Sequence, residues 1–425
     1  MTKAVAVAFV LSVSLAAPAG AQGTAAGAEF TLDQALAVAL AREPGLRAAG
    51  ADVAMARGAR LQAGLRPNPT VSVERREEPG GADTATEAGV EWPLDLFRRA
   101  ARIAAADADV AVAELEAADV RRQRAADVAA AYGEAVAATR ELAVTDDVLT
   151  AATEQLELLR ARVAQGTTPA LDRDMVDVDV RRIQADRVTQ AGRVNAALLR
   201  LRRFLSLPPE APLRVTQTLE DLIGTGDTTA GASAAPVRSD VQASQARVAA
   251  AEARIAAARR EARPEVTLFG SYMRMDSGFP QRGFSTAGHL EQVRGTFNYL
   301  SAGAMVALPL WNRQQGSVAA ATAAREAAEA RAEAARLTAA AEVAEARALD
   351  EQTRRAVTLY QDGVRPLARR NLDTVRETYQ LGRATVFDVL AEQRRYLDTE
   401  RAYTAALSEA FAARVRLGRA TGEMR

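Results

Sequence analysis

Hydrophobic and polar residues along this chain follow two periods, and the order of those periods occurs twice. In Thr70–Glu74, Val71 and Val73 point one way, and Ser72 and Glu74 the other. In Thr86–Trp92, Ala88, Val90 and Trp92 oppose Glu87, Gly89 and Glu91. Farther on, Val266, Leu268, Gly270 and Tyr272 oppose Glu265, Thr267, Phe269 and Ser271. Leu300, Ala302, Ala304, Val306 and Leu308 likewise oppose Ser301, Gly303 and Met305. A period of two predicts strands, here at about 70–76, 85–92, 265–275 and 296–308, whose two faces meet different media. Between the last two, Asp276–Gly295 reads as a long loop.

The remaining stretches read as helices. Thr31, with Gln34 three residues later, forms a capping box at the start of the first. Glu43-Pro44-Gly45 interrupts it, and the next helix ends at Arg66-Pro67-Asn68-Pro69. From Arg98 to about Glu141 nothing breaks the pattern, giving a rod of roughly 65 Å. A turn is expected around Val144-Thr145-Asp146-Asp147. Leu149, Ala152, Leu156, Leu159 and Val163 then step as a heptad seam. Gly166-Thr167-Thr168-Pro169 punctuates, and a further helix reaches Phe204-Leu205.

The second half repeats this order. Ser239–Glu261 is a helix ending before Arg263-Pro264. Another long helix starts at Arg313 and reaches a turn at Tyr360-Gln361-Asp362-Gly363, and a final one runs from Thr385 to about Leu417. Pro93 and Pro309 are 216 positions apart (309 − 93), and Gly166 and Gly382 keep that interval (382 − 166). The strand exits share a grammar too: Pro93 with Phe97 in WPLDLF, and Pro309 with Trp311 in LPLWNRQQG. An internal duplication organises the chain: a first repeat over 22–206, a Pro-, Gly-, Ser- and Thr-rich linker over 207–236, and a second repeat over 237–425.

Composition narrows the function. Residues 1–21 have a charged start at Lys3, a short apolar run and a small-residue end, as a secretory signal does. The 54 basic and 54 acidic residues cancel, which disfavours nucleic acid as a partner. With no Cys and one His, neither a disulfide framework nor an acylated Cys is expected, no nucleophile–base set assembles, and no cofactor or metal motif is present. No catalytic role is expected.

The elements imply a mainly α protein with a small β part. Four short strands gathered at one end of a long helical body cannot close a sheet alone, and open edges are hazardous in an exported protein. A barrel shared between protomers removes them, and closed barrels are one of two structures able to cross lipid.

The signal, FTLDQALAVAL, the RPNP and RPE strand entries, the two strand exits and the Gly-centred loops together resemble the TolC-like outer-membrane efflux proteins over essentially the whole mature chain. PLWNRQQG is most similar to the branch serving heavy-metal and drug pumps of the resistance-nodulation-division type. The resemblance implies a homotrimer with a twelve-stranded outer-membrane barrel above a helical barrel crossing the periplasm. It implies a passive exit duct for metal ions or small toxic compounds, fed by an inner-membrane pump through a periplasmic adaptor. Many metal-branch members carry a lipidated Cys, and this chain has none.

The resemblance also places the periplasmic entrance, as gate or adaptor contact, at Asp146 and Asp147 and at Tyr360, Asp362 and Gly363. Acidic and Gly residues there are equally ordinary turn formers. Gly166 and Gly382 are expected in equatorial loops, permitting backbone shapes other residues resist. Glu87, Glu91 and Glu265 share the polar strand face and line the lumen or its rim. His289 reads as a loop residue. Met273, Met275 and Met305 hint at a soft-metal path but serve equally as packing. Three rivals stay open: a duct for type I protein secretion, the periplasmic adaptor itself, and an inert coiled-coil scaffold. An adaptor would show one hairpin flanked by compact β domains, and a scaffold would lack alternating strands.

Overall fold

The structure is a computed structural model that describes residues 28–79, 81, 83–224 and 238–423. The expected signal at 1–21 and the later part of the linker lie outside these residues. Helix dominates. The first repeat runs β1 (Ala28–Phe30), α1 (Leu32–Arg42), α2 (Pro44–Gly64), β2 (Thr70–Glu77), β3 (Thr84–Leu94), α3 (Arg99–Ala164) and α4 (Ala170–Phe204). After β4 (Leu213–Val215) and α5 (Leu219–Gly224), the second runs α6 (Ser239–Glu261), β5 (Glu265–Phe284), β6 (Leu290–Ala307), α7 (Gln315–Leu359), α8 (Arg365–Gln380) and α9 (Val386–Thr421). A π-helical turn, Tyr360–Val364, joins α7 to α8.

The duplication is metrical. α3 spans 66 residues, about 99 Å at the helical rise. α7, the π-turn and α8 together cover Gln315–Gln380, the same interval moved by 216 positions. α2 and α6 flank the upper part of α3. Arg57–Glu114 (2.7 Å) and Arg60–Asp107 (2.8 Å) tie α2 to α3, while Arg247–Glu116 and Arg254–Asp109 (each 2.6 Å) tie α6 to it. These pairs are exposed, so each adds well under about 1 kcal/mol and chiefly sets register.

Two apolar cores hold the body together. The larger girdles its middle. Ala126–Val136 of α3, Leu201 and Leu205 of α4, Leu219 and Leu222 of α5, and Leu407 and Phe411 of α9 meet there. Across it the Tyr132 hydroxyl donates to the Phe30 carbonyl at 2.8 Å, fixing β1, which pairs in parallel with β4. The capping box is formed, with the Gln34 amide donating to Thr31 Oγ1 at 3.3 Å and the Thr31 amide to Gln34 Oε1 at 3.0 Å. Part of the expected linker is therefore folded, since β4 and α5 lie within it. The smaller core packs Ala152, Leu156 and Leu159 of the heptad seam against Val176, Val180 and Ile183 of α4 and Val386, Leu390 and Leu397 of α9.

The four strands form one antiparallel sheet in the order β2-β3-β5-β6. The two hairpins join through β3 and β5, from Thr84 opposite Asp276 to Leu94 opposite Val266. The second hairpin departs from expectation. Asp276–Gly295 is mostly strand, with a register shift between Gly278 and Arg282 and a turn confined to 285–289. Gly, Pro and Ser there read as loop formers, but pairing across the hairpin and the edge-to-face stacking of Phe279 on Phe297 keep the strands together. His289 sits at this turn.

Candidate functional site

Strand register sorts the sheet into two unlike faces. Cross-strand neighbours share a face, so one carries the rows Leu94–Val266–Val306, Trp92–Leu268–Ala304, Val71–Val90–Gly270–Ala302 and Val73–Ala88–Tyr272–Leu300. Val71, Val73 and Leu300 stand exposed on it, Leu300 at 86%. This band runs about 20 Å along β5 from Val266 to Tyr272. The opposite face carries Thr70–Glu91–Phe269–Gly303, Ser72–Gly89–Ser271–Ser301 and Glu74–Glu87–Met273–Tyr299. Glu87 and Glu91 thus share the polar face, as the alternation indicated. Glu74 lies directly opposite Glu87, a like-charge pairing visible only from register.

Glu265 belongs to the same face by alternation but is engaged at its base. Arg98 Nη1 lies 3.1 Å from Glu265 and Arg98 Nε 3.5 Å from Glu261. Met273, Met275 and Met305 all lie on the polar face by register, among Tyr299, Phe297 and Thr267. At the exits, β3 runs one residue past Pro93, whose missing amide is tolerated opposite Thr267, and β6 stops at Ala307 before Pro309. Trp311 and Phe97 are exposed beside these prolines, and the Trp92 indole donates to the Pro67 carbonyl at 3.2 Å. Among the described residues no helix is long and apolar enough to cross a membrane.

At the other end of the body the hairpin ends stand where glycine, not aspartate, marks the chain. Gly166 has φ +71° and Gly382 φ +73°. The Gly166 amide donates to Val163 O and the Thr167 amide to Arg162 O; Gly382 and Arg383 donate to Tyr379 O and Thr378 O in the same way. Both are Schellman endings, in which a left-handed residue lets the last carbonyls of the helix find donors. The reversal is thus at 165–169 and 381–385, and Gly166 and Gly382 are not in equatorial loops. Exposed Leu171 and Phe387 occupy equivalent positions just past the two turns.

The turn expected around Val144–Asp147 does not exist. α3 passes through it, about 27 Å short of its end. Thr145 is fully buried, its hydroxyl donates to the Glu141 carbonyl, and Asp146 accepts from Arg187 of α4 at 2.5 Å. Tertiary packing overrides the weak helix preference of Thr and Asp. In the second repeat the equivalent positions are the π-turn. Tyr360, Asp362 and Gly363 therefore mark an irregularity within a long helix, not a hairpin end. Asp146, Asp147, Tyr360, Asp362 and Gly363 are all removed from the hairpin ends.

A charged hub beside the π-turn was not legible in the sequence. Arg365 of α8 donates to Glu400 of α9 at 2.6 Å, and Arg140 of α3 reaches Glu220 of α5 at 2.8 Å and Glu400 at 3.8 Å. The Arg140 and Arg365 guanidiniums stand 5.2 Å and 5.1 Å from the centre of the Tyr403 ring. Burial works against the Arg365 charge, but the hydrogen bond and charge of Glu400 outweigh it and raise its pKa. Burial, then the nearby Glu220 carboxylate, raise that of Tyr403, which stays a neutral phenol.

Heptad-spaced stripes on two helices are unpartnered among the described residues. On α4, Leu171, Val178, Ala185, Gly192 and Leu199 recur every seven residues, all exposed. On α8 and its flanks, Val364, Leu367, Asn371, Thr374, Thr378 and Leu381 step by three and four, mostly exposed. α8 also stands off from α3 across a cleft of about 400 Å³, lined by Leu158, Leu159, Arg162, Arg376 and Tyr379.

Comparison with known proteins agrees with this geometry. The family model described as outer membrane efflux protein matches residues 35–206 and 233–423, most of the chain. Comparison with curated proteins returned no match. Among solved structures, the outer membrane protein VceC from Vibrio cholerae is 21% identical, with TM-score 0.70 and coverage of 92% of this chain and 96% of that one. A membrane protein from Pseudomonas aeruginosa is 23% identical, with TM-score 0.71 and coverage of 92% and 93%. The open state of the MtrE outer membrane channel from Neisseria gonorrhoeae is 19% identical, with TM-score 0.68 and coverage of 92% and 88%. At these identities the likeness concerns the fold. The family match over both repeats goes further: this chain belongs to the outer membrane efflux protein family, a family of channels rather than enzymes.

Proposed function

We propose that three copies of this chain form the exit duct of a tripartite efflux system. β6 of each copy pairs with β2 of the next and closes a twelve-stranded barrel. The observation that carries this reading is the four-stranded sheet with unpaired edges at β2 and β6 and one apolar face about 20 Å long. A sheet of four strands cannot close on itself, and in lipid every backbone amide must find a partner. The unpartnered seams of α4 and α8 support the same arithmetic, since a rotated neighbour lets one pack on the other.

In this reading Glu74, Glu87 and Glu91 line the lumen of the barrel, and Glu265 with Arg98 stands at its lower rim. The hairpin ends at Gly166 and Gly382, with Leu171 and Phe387 beside them, form the periplasmic entrance and the contact for an adaptor protein. Metal ions or small toxic compounds pass through, driven by the inner-membrane pump that the adaptor connects. The pump selects the cargo.

Electron microscopy of the detergent-extracted mature protein tests the assembly. A three-fold tube with a detergent belt at one end is the expected image. Compact or unbelted particles would mean the sheet never closes, and the duct reading would be abandoned.

A further inference from the structure

Above its apolar band, the outward face of the sheet becomes basic. The row after Tyr272 holds Arg75, Thr86, Arg274 and Asn298, and the next holds Glu77, Thr84, Asp276 and Thr296. Past that row only β5 and β6 continue, with Arg294 opposite Gly278 and, beyond the register shift, Arg282 opposite Gln292. Cross-strand pairing keeps all four arginines on the face of Val73, Tyr272 and Leu300. Arg274 lies about 7 Å and Arg294 about 20 Å along the strands from Tyr272.

Two carboxylates share this strip. Arg75 pairs with Glu77 at 2.6 Å and Arg274 approaches Asp276 at 3.6 Å. All four side chains are well exposed, so water and salt screen the pairs and leave the guanidiniums open to a stronger acceptor. Four arginines against two carboxylates leave the strip positive. His289 lies at the far turn, and Glu291 is on the opposite face by register.

Tyr272 closes the apolar band as an interfacial anchor would, its hydroxyl donating to Asn298 Oδ1 at 2.7 Å. The strands enter the helical body at their opposite ends, so the arginine strip rises on the side away from the periplasm. Residues just above the band then sit at the headgroup level of the outer leaflet. There the lipid is a glycolipid with phosphates on its sugars. Guanidinium forks match phosphate oxygens two at a time, and basic clusters beside a membrane span collect anionic headgroups.

We propose that Arg75, Arg274, Arg282 and Arg294 bind the phosphorylated glycolipid of the outer leaflet, holding a shell of it around the barrel. The proposal rests on the reading that the sheet closes into a barrel with this face in lipid.

The test uses the full-length mature protein, purified in detergent, and measures binding of rough-type lipopolysaccharide by native mass spectrometry and thermophoresis. The variant Arg75→Gln/Arg274→Gln/Arg282→Gln/Arg294→Gln changes only exposed side chains. Its affinity is expected to fall at least tenfold. The unmodified protein should lose a similar factor toward enzymatically dephosphorylated lipopolysaccharide. Arg76→Gln, on the other face, should bind as before. Unchanged affinity in the quadruple variant overturns the proposal. So does equal binding of phosphatidylglycerol, which would mean attraction to negative charge at large. A nitroxide at Val73→Cys in this cysteine-free chain separates the two readings. A label reached by water-soluble nickel complexes sinks the barrel reading itself. A label reached by oxygen in lipid, with glycolipid binding unaltered in the quadruple variant, sinks only the arginine strip.

Discussion

Arg365 Nε lies 2.6 Å from Glu400 Oε1, and this contact is the main polar tie between α8 and the rest of the body. Glu400 is 3% exposed and faces Arg140 as well, whereas α8 buries only Leu372. Removing a buried carboxylate leaves two guanidiniums facing each other across Tyr403. Glu400→Gln should therefore destabilise the attachment of α8, near the lower end of the ~3–5 kcal/mol seen for broken buried pairs, because Arg365 remains partly solvated. Hydrogen exchange of the α8 amides should quicken while that of α3 stays slow. In contrast, Glu351→Gln, which breaks an exposed pair with Arg355, should leave both rates unchanged.

The two hairpin ends depend on left-handed glycines. No atom crowds the Cβ site at Gly166 or Gly382, so the cost of replacement is conformational and not steric crowding. Gly166→Ala and Gly382→Ala should each cost about 1–2 kcal/mol, read as a lowered denaturation midpoint. Asn at either position should recover part of that loss, since it enters the left-handed region more readily. If Ala were as stable as Gly at both sites, the Schellman endings would not be needed.

Gly133 of α3 packs directly against Phe411 of α9 in the girdle. A Cβ there would fall on the ring edge of Phe411, which is itself buried. Gly133→Ala should destabilise by about 1–3 kcal/mol through overpacking, despite the better helix propensity of Ala. Adding Phe411→Leu should return part of the loss, a coupling measurable in a double-mutant cycle.

The start of α9 should resist mild acid. The Thr385 hydroxyl and amide donate to the Asp388 carboxylate at 2.7 and 2.8 Å, and these hydrogen bonds lower its pKa below the usual Asp value. A carboxyl with a depressed folded pKa contributes stability that is complete above the unfolded value and fades as pH falls through the folded one. Exchange at the Asp388 and Val389 amides, which donate to Thr385, should stay slow at pH 5 and rise only below the ordinary Asp range. Asp388→Asn should abolish that pH dependence; an unchanged profile would show that the carboxylate does not govern the cap.

The sequence by itself determined the duplication, the two-faced strands, the capping box at Thr31 and the need for glycine at positions 166 and 382. Each of these is local. Alternation fixes which face a residue takes, a three-residue spacing fixes a cap, and a left-handed helix ending favours a residue without Cβ. Tertiary structure decided the rest. Asp146 and Asp147 looked like a turn because Asp and Thr are poor helix formers. Burial of Thr145 and the Arg187 pair to Asp146, both supplied by neighbouring helices, outweigh that preference, so the true hairpin end lies farther along the chain. Asp276–Gly295 looked like a loop because its Gly and Pro content says so, yet a partner strand pairs with most of it and extends the hairpin. Glu74 opposite Glu87, the four arginines of one face, and Glu400 between Arg140 and Arg365 join residues far apart in the chain. No local period encodes such pairings, because they follow from strand register and from which helices pack side by side.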